Sequence, residues 1–132
     1  MSEHRPDYEQ ESHDEMVEQY AYQLENQHDS DAVQADHTDA YPTPDPVSGP
    51  DGEEHVPDAL QPSGPEKVIA EIETKSSIDD PHTESQWGAF AAWAAESDDR
   101  TFVLAVHPMQ RDAAQDRLDD LGLEAEIDVI WS

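Results

Sequence analysis

The chain has 132 residues, no cysteine, and 33 acidic against 6 basic residues, for a formal charge of −27. That length holds one core rather than two domains, and the lack of cysteine excludes disulfides, thiolate zinc sites and cysteine nucleophiles. So few Lys and Arg argue against nucleic-acid binding that draws on counterion release.

The acids are spread over the whole sequence, including its amphipathic segments, so an acidic tail does not explain them. A halophilic setting does: at 1 M salt the Debye length is about 3 Å, and self-repulsion is screened. Lysine occurs only at Lys67 and Lys75, which fits the same picture. The composition points to a haloarchaeal cell, or one infected by a virus. The N-terminus lacks the basic and apolar regions of a signal peptide, and no apolar run approaches the ~18 residues of a membrane span. A soluble, cytoplasmic protein with no membrane partner is expected.

Residues 1–12 carry almost no apolar side chain and read as a disordered acidic N-terminus ahead of a single domain, residues 13–132. From His13 to Asn26, Val17, Tyr20, Ala21 and Leu24 recur at helical spacing. Asp31 to Asp36 alternates weakly, as a first strand would. Residues 38–54 hold Pro42, Pro44, Pro46, Gly49, Pro50 and Gly52, which predicts a Pro-rich loop without regular structure. Val56 to Leu60 reads as a short strand, and Gln61 to Pro65 as a turn that folds the chain back.

Val68 to Lys75 is the most strongly patterned stretch. Val68, Ala70, Ile72 and Thr74 share one face of a strand, while Ile69, Glu71, Glu73 and Lys75 share the other. Residues two apart stand roughly 7 Å from each other, suited to lining a small metal and phosphate site; the plainer reading is one solvated face. Antiparallel pairing with the Asp58 strand, roughly 4.8 Å away, would bring Asp58 to Glu71 and Glu73. Asp79-Asp80-Pro81 then opens a helix to about Ser97 with Trp87, Phe90, Ala91 and Ala94 on an apolar stripe. Thr101 to Val106 is apolar on both faces and belongs inside a sheet. Asp112 to Leu121 gives a third helix stopped by Gly122, and Glu126 to Trp131 a final strand. This order argues for an α/β sandwich with a central mixed sheet flanked by helices.

Pro57-Asp58, a connecting turn, then Glu71-Ile72-Glu73 or Glu73-Thr74-Lys75 on the next strand resembles the core of the PD-(D/E)XK nuclease superfamily, over roughly residues 13 to 108. More narrowly, Val33 to Asp36, Tyr41-Pro42, Pro57-Asp58 and Ile69 to Thr74 are similar to small archaeal and viral members related to Holliday-junction-resolvase-like and RecB-like nucleases. Gln86 and Phe90 echo the Gln-x-x-x-Tyr element of the RecB-like branch, with Phe for Tyr. The resemblance implies a restriction-endonuclease-like fold and Mg²⁺- or Mn²⁺-dependent hydrolysis of DNA, whether branched, single-stranded or duplex. It also implies Asp58, Glu71 and Glu73 as metal ligands, Lys75 and Gln86 as further catalytic positions, and room for a homodimer. The departure is Glu73 where the superfamily carries lysine, so Glu73 and Lys75 compete for the last motif position.

The seven histidines have no paired metal spacing and read as solvated, with only His55 and His82 near the proposed site. Trp87, Phe90 and Trp93 read as core, and Arg111 and Arg117 as surface ion pairs. A non-catalytic interaction protein on the same fold is the competing function class, favoured by the charge. A disordered acidic DNA mimic is disfavoured by the periodicity of residues 68–131.

Overall fold

In the computed structural model, the structure describes residues 7–28, 32–50, 52–62, 66–74, 78 and 81–129. The elements are α1 (Asp7–His28), β1 (Gln34–Ala35), β2 (Val47–Ser48), β3 (Glu54–His55), β4 (Ala59–Gln61), β5 (Lys67–Ile72), α2 (Pro81–Ala95), β6 (Arg100–Val106), a 3₁₀ turn (Pro108–Gln110), α3 (Arg111–Leu121) and β7 (Glu126–Val129). The protein is α/β, with a mixed five-stranded sheet in the order β1-β4-β5-β6-β7. β1/β4 and β4/β5 are antiparallel, β5/β6 and β6/β7 parallel.

β5 lies at the centre because its β-branched run can be buried on both faces. Val68, Ala70 and Ile72 join Ala59, Val103 and Ala105 beneath the apolar stripe of α1, namely Met16, Val17, Tyr20, Ala21 and Leu24. Ile69 lies on the other face, with Leu60, Phe102, Leu104 and Val106, covered by Trp87 and Phe90 of α2 and Ala114 and Leu118 of α3. Burying each of the larger side chains contributes about 1.5–3 kcal/mol. Both faces of β5 are therefore covered, and the solvated-face reading of Glu71 and Glu73 is corrected: they are 4% and 3% exposed. Gly122 ends α3 at φ 68°, a left-handed cap that an L side chain would strain.

Other boundaries differ from the sequence reading. α1 starts six residues before His13; acidic residues such as those of the sequence from Asp7 to Glu11 suit the N-terminal end of a helix dipole. Residues 1–6 of the expected disordered segment lie outside the described residues. The Pro-rich loop contains regular structure after all: Val47 pairs with His55 and Ser48 with Glu54, since Val47 and Ser48 keep their N–H groups between the prolines. β4 begins at Ala59, so Pro57 and Asp58 precede it rather than lie within it. Trp131 lies outside the described residues.

α1 is fastened to the far edge of the sheet by Tyr20, whose hydroxyl donates to Asp128 Oδ2 at 3.1 Å. Burial, and then the neighbouring Asp128 charge, push the phenol well above its ordinary value of 10.0. A raised folded pKa means that the unfolded chain loses this proton first, so stability falls as pH rises above about 10. Urea melts from pH 8 to 11 are expected to show this alkaline loss in wild type and a smaller one in Tyr20→Phe; equal slopes would refute the assignment.

Candidate functional site

Asp58 sits between Pro57 and the first residue of β4, where proline has fixed the approach of the chain. Its backbone is held on two sides. Its N–H donates to Glu71 Oε1 at 2.9 Å, and its carbonyl accepts from Asp36 N–H at 2.9 Å. Because Ala59 pairs with Ala70, the next step of the register sets Asp58 across from Glu71. The carboxylate of Asp58 turns toward α1: Oδ2 accepts from Ile72 N–H at 2.9 Å and from His13 Nε2 at 3.1 Å, and Oδ1 lies 3.6 Å from His37 Nε2. Burial alone would push this carboxyl up; the charge and hydrogen bond of His13, the Ile72 N–H and the charge of His37 outweigh it and hold it below the ordinary carboxylate range.

Of the residues expected to form a site, Asp58 and Glu71 are thus joined directly. Glu73 is carried elsewhere, its Oε2 accepting from the indole Nε1 of buried Trp87 at 2.9 Å. Alternation along β5 places Glu71 and Glu73 on the α2 face with Ile69, while the Asp58 carboxylate reaches α1. The convergence of three carboxylates expected from parity is therefore not what the geometry gives. Gln86 is half-buried on α2, beside Trp87. Lys75 lies outside the described residues.

The reading of the histidines is corrected too. His13 is 1% exposed and His55 5%; His55 Nε2 lies 3.0 Å from Ser85 Oγ. His13 was legible: it stands four residues before Val17 and seven before Tyr20, on the stripe that α1 buries. His37 carried no such signal. It stands at φ 62°, in a left-handed conformation that a non-glycine residue adopts at a cost of about 1–2 kcal/mol. Arg117 Nη2 lies 3.7 Å from Glu84 Oε2, as a surface pair was expected to.

Among the described residues, one set of three His, Asp or Glu side chains brings its ligand atoms within 4.8 Å of one another: His13, Asp14 and His37. A larger cleft of ≈ 1010 Å³ lies on the opposite side of the molecule, lined by Ala91, Ala94, Phe102, Leu118 and Leu123 among others. It gathers no buried charge comparable to Asp58 and is not where the chemistry is concentrated. No family model matches the chain, and neither a curated protein nor a solved structure matches it. No helix among the described residues is long and apolar enough to cross a membrane.

The Trp87–Glu73 bond can be tested apart from any activity. Trp87→Phe keeps an aromatic ring but removes the donor to a buried carboxylate, and is expected to destabilise the fold by about 1.5–3 kcal/mol. In Glu73→Gln the same substitution should cost measurably less, because the bond is no longer to a charged acceptor. Equal losses in the two backgrounds, read from urea melts, would remove the bond from the account.

Proposed function

We propose that the chain is a metal-dependent nuclease with a restriction-endonuclease-like fold, of the PD-(D/E)XK kind, which hydrolyses DNA phosphodiester bonds in the salt-rich cytoplasm of a haloarchaeal cell. The observation that carries this reading is the bond between Asp58, at the head of β4, and Glu71 on the antiparallel β5. With the separate β2–β3 hairpin set aside, the order α1, β1, β4, β5, α2, β6 is helix, strand, strand, strand, helix, strand, with β6 parallel to β5, and agrees with it.

Asp58 and Glu71 are donors of the kind a hard cation takes, and Mg²⁺ or Mn²⁺ needs few protein ligands because it keeps several waters; to share one ion, their carboxylates, held now by His13 and by the Asp58 N–H, would have to swing toward each other. Bound there, the ion would supply charge neutralisation at the phosphodiester and a water of lowered pKa. The chain's own residues do the positioning. Ile72 N–H and His13 Nε2 fix the Asp58 carboxylate, and Glu71 is drawn to the head of β4 by the Asp58 N–H. Glu73 would serve as a third ligand only by releasing the Trp87 indole, so its role in this reading is secondary to that of Asp58 and Glu71.

A second reading, a non-catalytic interaction protein on the same fold, is favoured by two features: Asp58 Oδ2 already accepts two hydrogen bonds, and Glu73 is engaged by Trp87. Incubation of the purified protein with branched, single-stranded and duplex DNA in high KCl, with and without Mn²⁺, separates the two. The nuclease reading expects Mn²⁺-dependent cleavage of at least one substrate and its loss in Glu71→Gln, with the fold retained. In Lys75→Ala, a large rate loss at unchanged metal affinity would assign Lys75 the last motif position. Folded protein that cleaves none of the three with Mn²⁺ present, and whose uptake of Mg²⁺ or Mn²⁺ is the same in Glu71→Gln as in wild type, leaves the interaction reading.

A further inference from the structure

The geometry points to a second metal site, in which His13, Asp14 and His37 hold a borderline divalent transition-metal ion of the Zn²⁺ class while Asp58 backs both imidazoles. Asp14 Oδ1 stands 3.1 Å from His13 Nδ1 and 3.8 Å from His37 Nδ1, and one ligand atom from each of the three residues lies within 4.8 Å of the others. Zinc bonds of about 2.0–2.2 Å in a tetrahedron set ligand atoms about 3.3–3.6 Å apart. The three groups need shifts of an ångström or so, which half-exposed Asp14 and exposed His37 can make.

The other side of each ring supports the assignment. His13 Nε2 lies 3.1 Å from Asp58 Oδ2 and His37 Nε2 3.6 Å from Asp58 Oδ1; Asp36 Oδ2 is also 3.6 Å from His37 Nε2. A single buried carboxylate thus stands behind both imidazoles, one oxygen to each, in the carboxylate–histidine–metal relation that orients a ligating ring. Both nitrogens of each ring consequently face carboxylate oxygens, yet a neutral imidazole has one N–H. A cation on the Nδ1 side satisfies His13, His37 and Asp14 together, leaving each Nε2–H for Asp58. The rings meet edge-on, 79° apart with centroids 5.3 Å from each other, as two ligands of one ion can.

The site opens to solvent through a cleft of ≈ 680 Å³ lined by Asp14, Glu15, Glu18, His37, Thr38 and Asp39, so an ion can reach it and water can complete its coordination. Two imidazoles select Zn²⁺, Co²⁺ or Ni²⁺ over Mg²⁺ and Ca²⁺, which prefer oxygen throughout. The ion would fasten α1 to the segment following β1 and hold His37 in its left-handed conformation. The site goes beyond the nuclease reading and does not depend on it.

The test uses the full chain, freed of metal by a chelator and kept in high KCl. Calorimetry is expected to find one equivalent of Zn²⁺ bound more tightly than Mg²⁺, and Co²⁺ in its place should give the visible absorption of a nitrogen-ligated site of low coordination number. His37→Ala and Asp14→Ala, both at exposed or half-exposed positions, abolish the Co²⁺ signal and the Zn²⁺ binding, while Glu71→Gln keeps both. Glu71→Gln that loses Mn²⁺-dependent cleavage but keeps Zn²⁺ uptake separates this site from the nuclease centre. Folded wild-type protein that takes up no Zn²⁺, or His37→Ala that binds it as wild type does, overturns the proposal.

Discussion

Asp58→Ala is expected to destabilise the fold by about 3–5 kcal/mol, the range for breaking a buried charged pair by removing one partner. Against a total stability of about 5–15 kcal/mol for a domain, that is enough to unfold much of the population. The size follows from how many groups depend on this one carboxylate. His13, on the buried face of α1, loses the acceptor for Nε2, and the Ile72 N–H, at the end of the central strand, loses its own. Asp58→Asn keeps an oxygen and the shape of the side chain and should cost less, about 1–3 kcal/mol. The two variants also differ from wild type in acid. The folded pKa of Asp58 lies below the ordinary 3.8, so its contribution is complete above that value and is lost as pH falls through the folded one. Urea midpoints taken from about pH 6 down to pH 3 should therefore fall more steeply in wild type than in Asp58→Asn. Parallel acid limbs, or an alanine variant as stable as wild type, would show that the His13–Asp58 contact contributes nothing.

Removing salt is expected to unfold the wild-type protein. Lys67 faces Asp99 at 2.7 Å, Arg100 faces Glu96 at 3.5 Å and Arg117 faces Glu84 at 3.7 Å. Half of the 6 basic residues are thus already committed, against 33 acidic ones. At 0.1 M salt the Debye length is about 10 Å, so neighbouring surface carboxylates repel across several residues; at 1 M it is about 3 Å and that repulsion is nearly gone. The difference, summed over the surface, is expected to reach several kcal/mol and to raise the thermal midpoint by on the order of 10 °C or more between low and molar KCl. Circular dichroism across a KCl series measures it, with sucrose as a control for effects other than screening. A midpoint that does not move with KCl would sink the halophilic reading of the composition.

The elements that the sequence revealed best are those whose residues encode their own burial. β5 and β6 are legible because β-branched runs of that length suit strands covered on both faces, and α3 because Leu118 and Leu121 share a side that Gly122 then terminates. Alternation correctly joined Glu71 with Glu73 and antiparallel pairing correctly set Asp58 beside Glu71. What alternation cannot supply is the identity of the covering layer. Nothing local to Glu73 announces that Trp87, fourteen positions on, will donate to it, or that Asp58 will turn to a histidine on α1 rather than remain with the glutamates. The hairpin of β2 and β3 was hidden for a different reason: two residues per strand are too few for any period to register. The early start of α1 was hidden because charge at a helix N-terminus leaves no apolar pattern to read.

The contact between Tyr20 and Asp128 spans 108 positions, and the stripe on α1 rests on Val103 and Ala105 as well as on β5. On the ribosome, α1 therefore emerges well before its resting place is complete. Met16, Val17, Tyr20 and Leu24 wait in solvent, or against transient partners, until β4 and β5 are made, and their cover is completed only by β6 and β7. The antiparallel pair β4 and β5, close in sequence, can form meanwhile and offers α1 its main support through Ala59, Val68, Ala70 and Ile72; the Val103, Ala105 and Asp128 contacts are added only when β6 and β7 arrive. Such long-range closure slows folding and leaves the apolar stripe of α1 partly uncovered for seconds at ordinary elongation rates. The acidic residues that separate its apolar positions, Glu15, Glu18 and Glu25, then serve the nascent chain as well as the finished one, by keeping waiting helices on neighbouring copies apart.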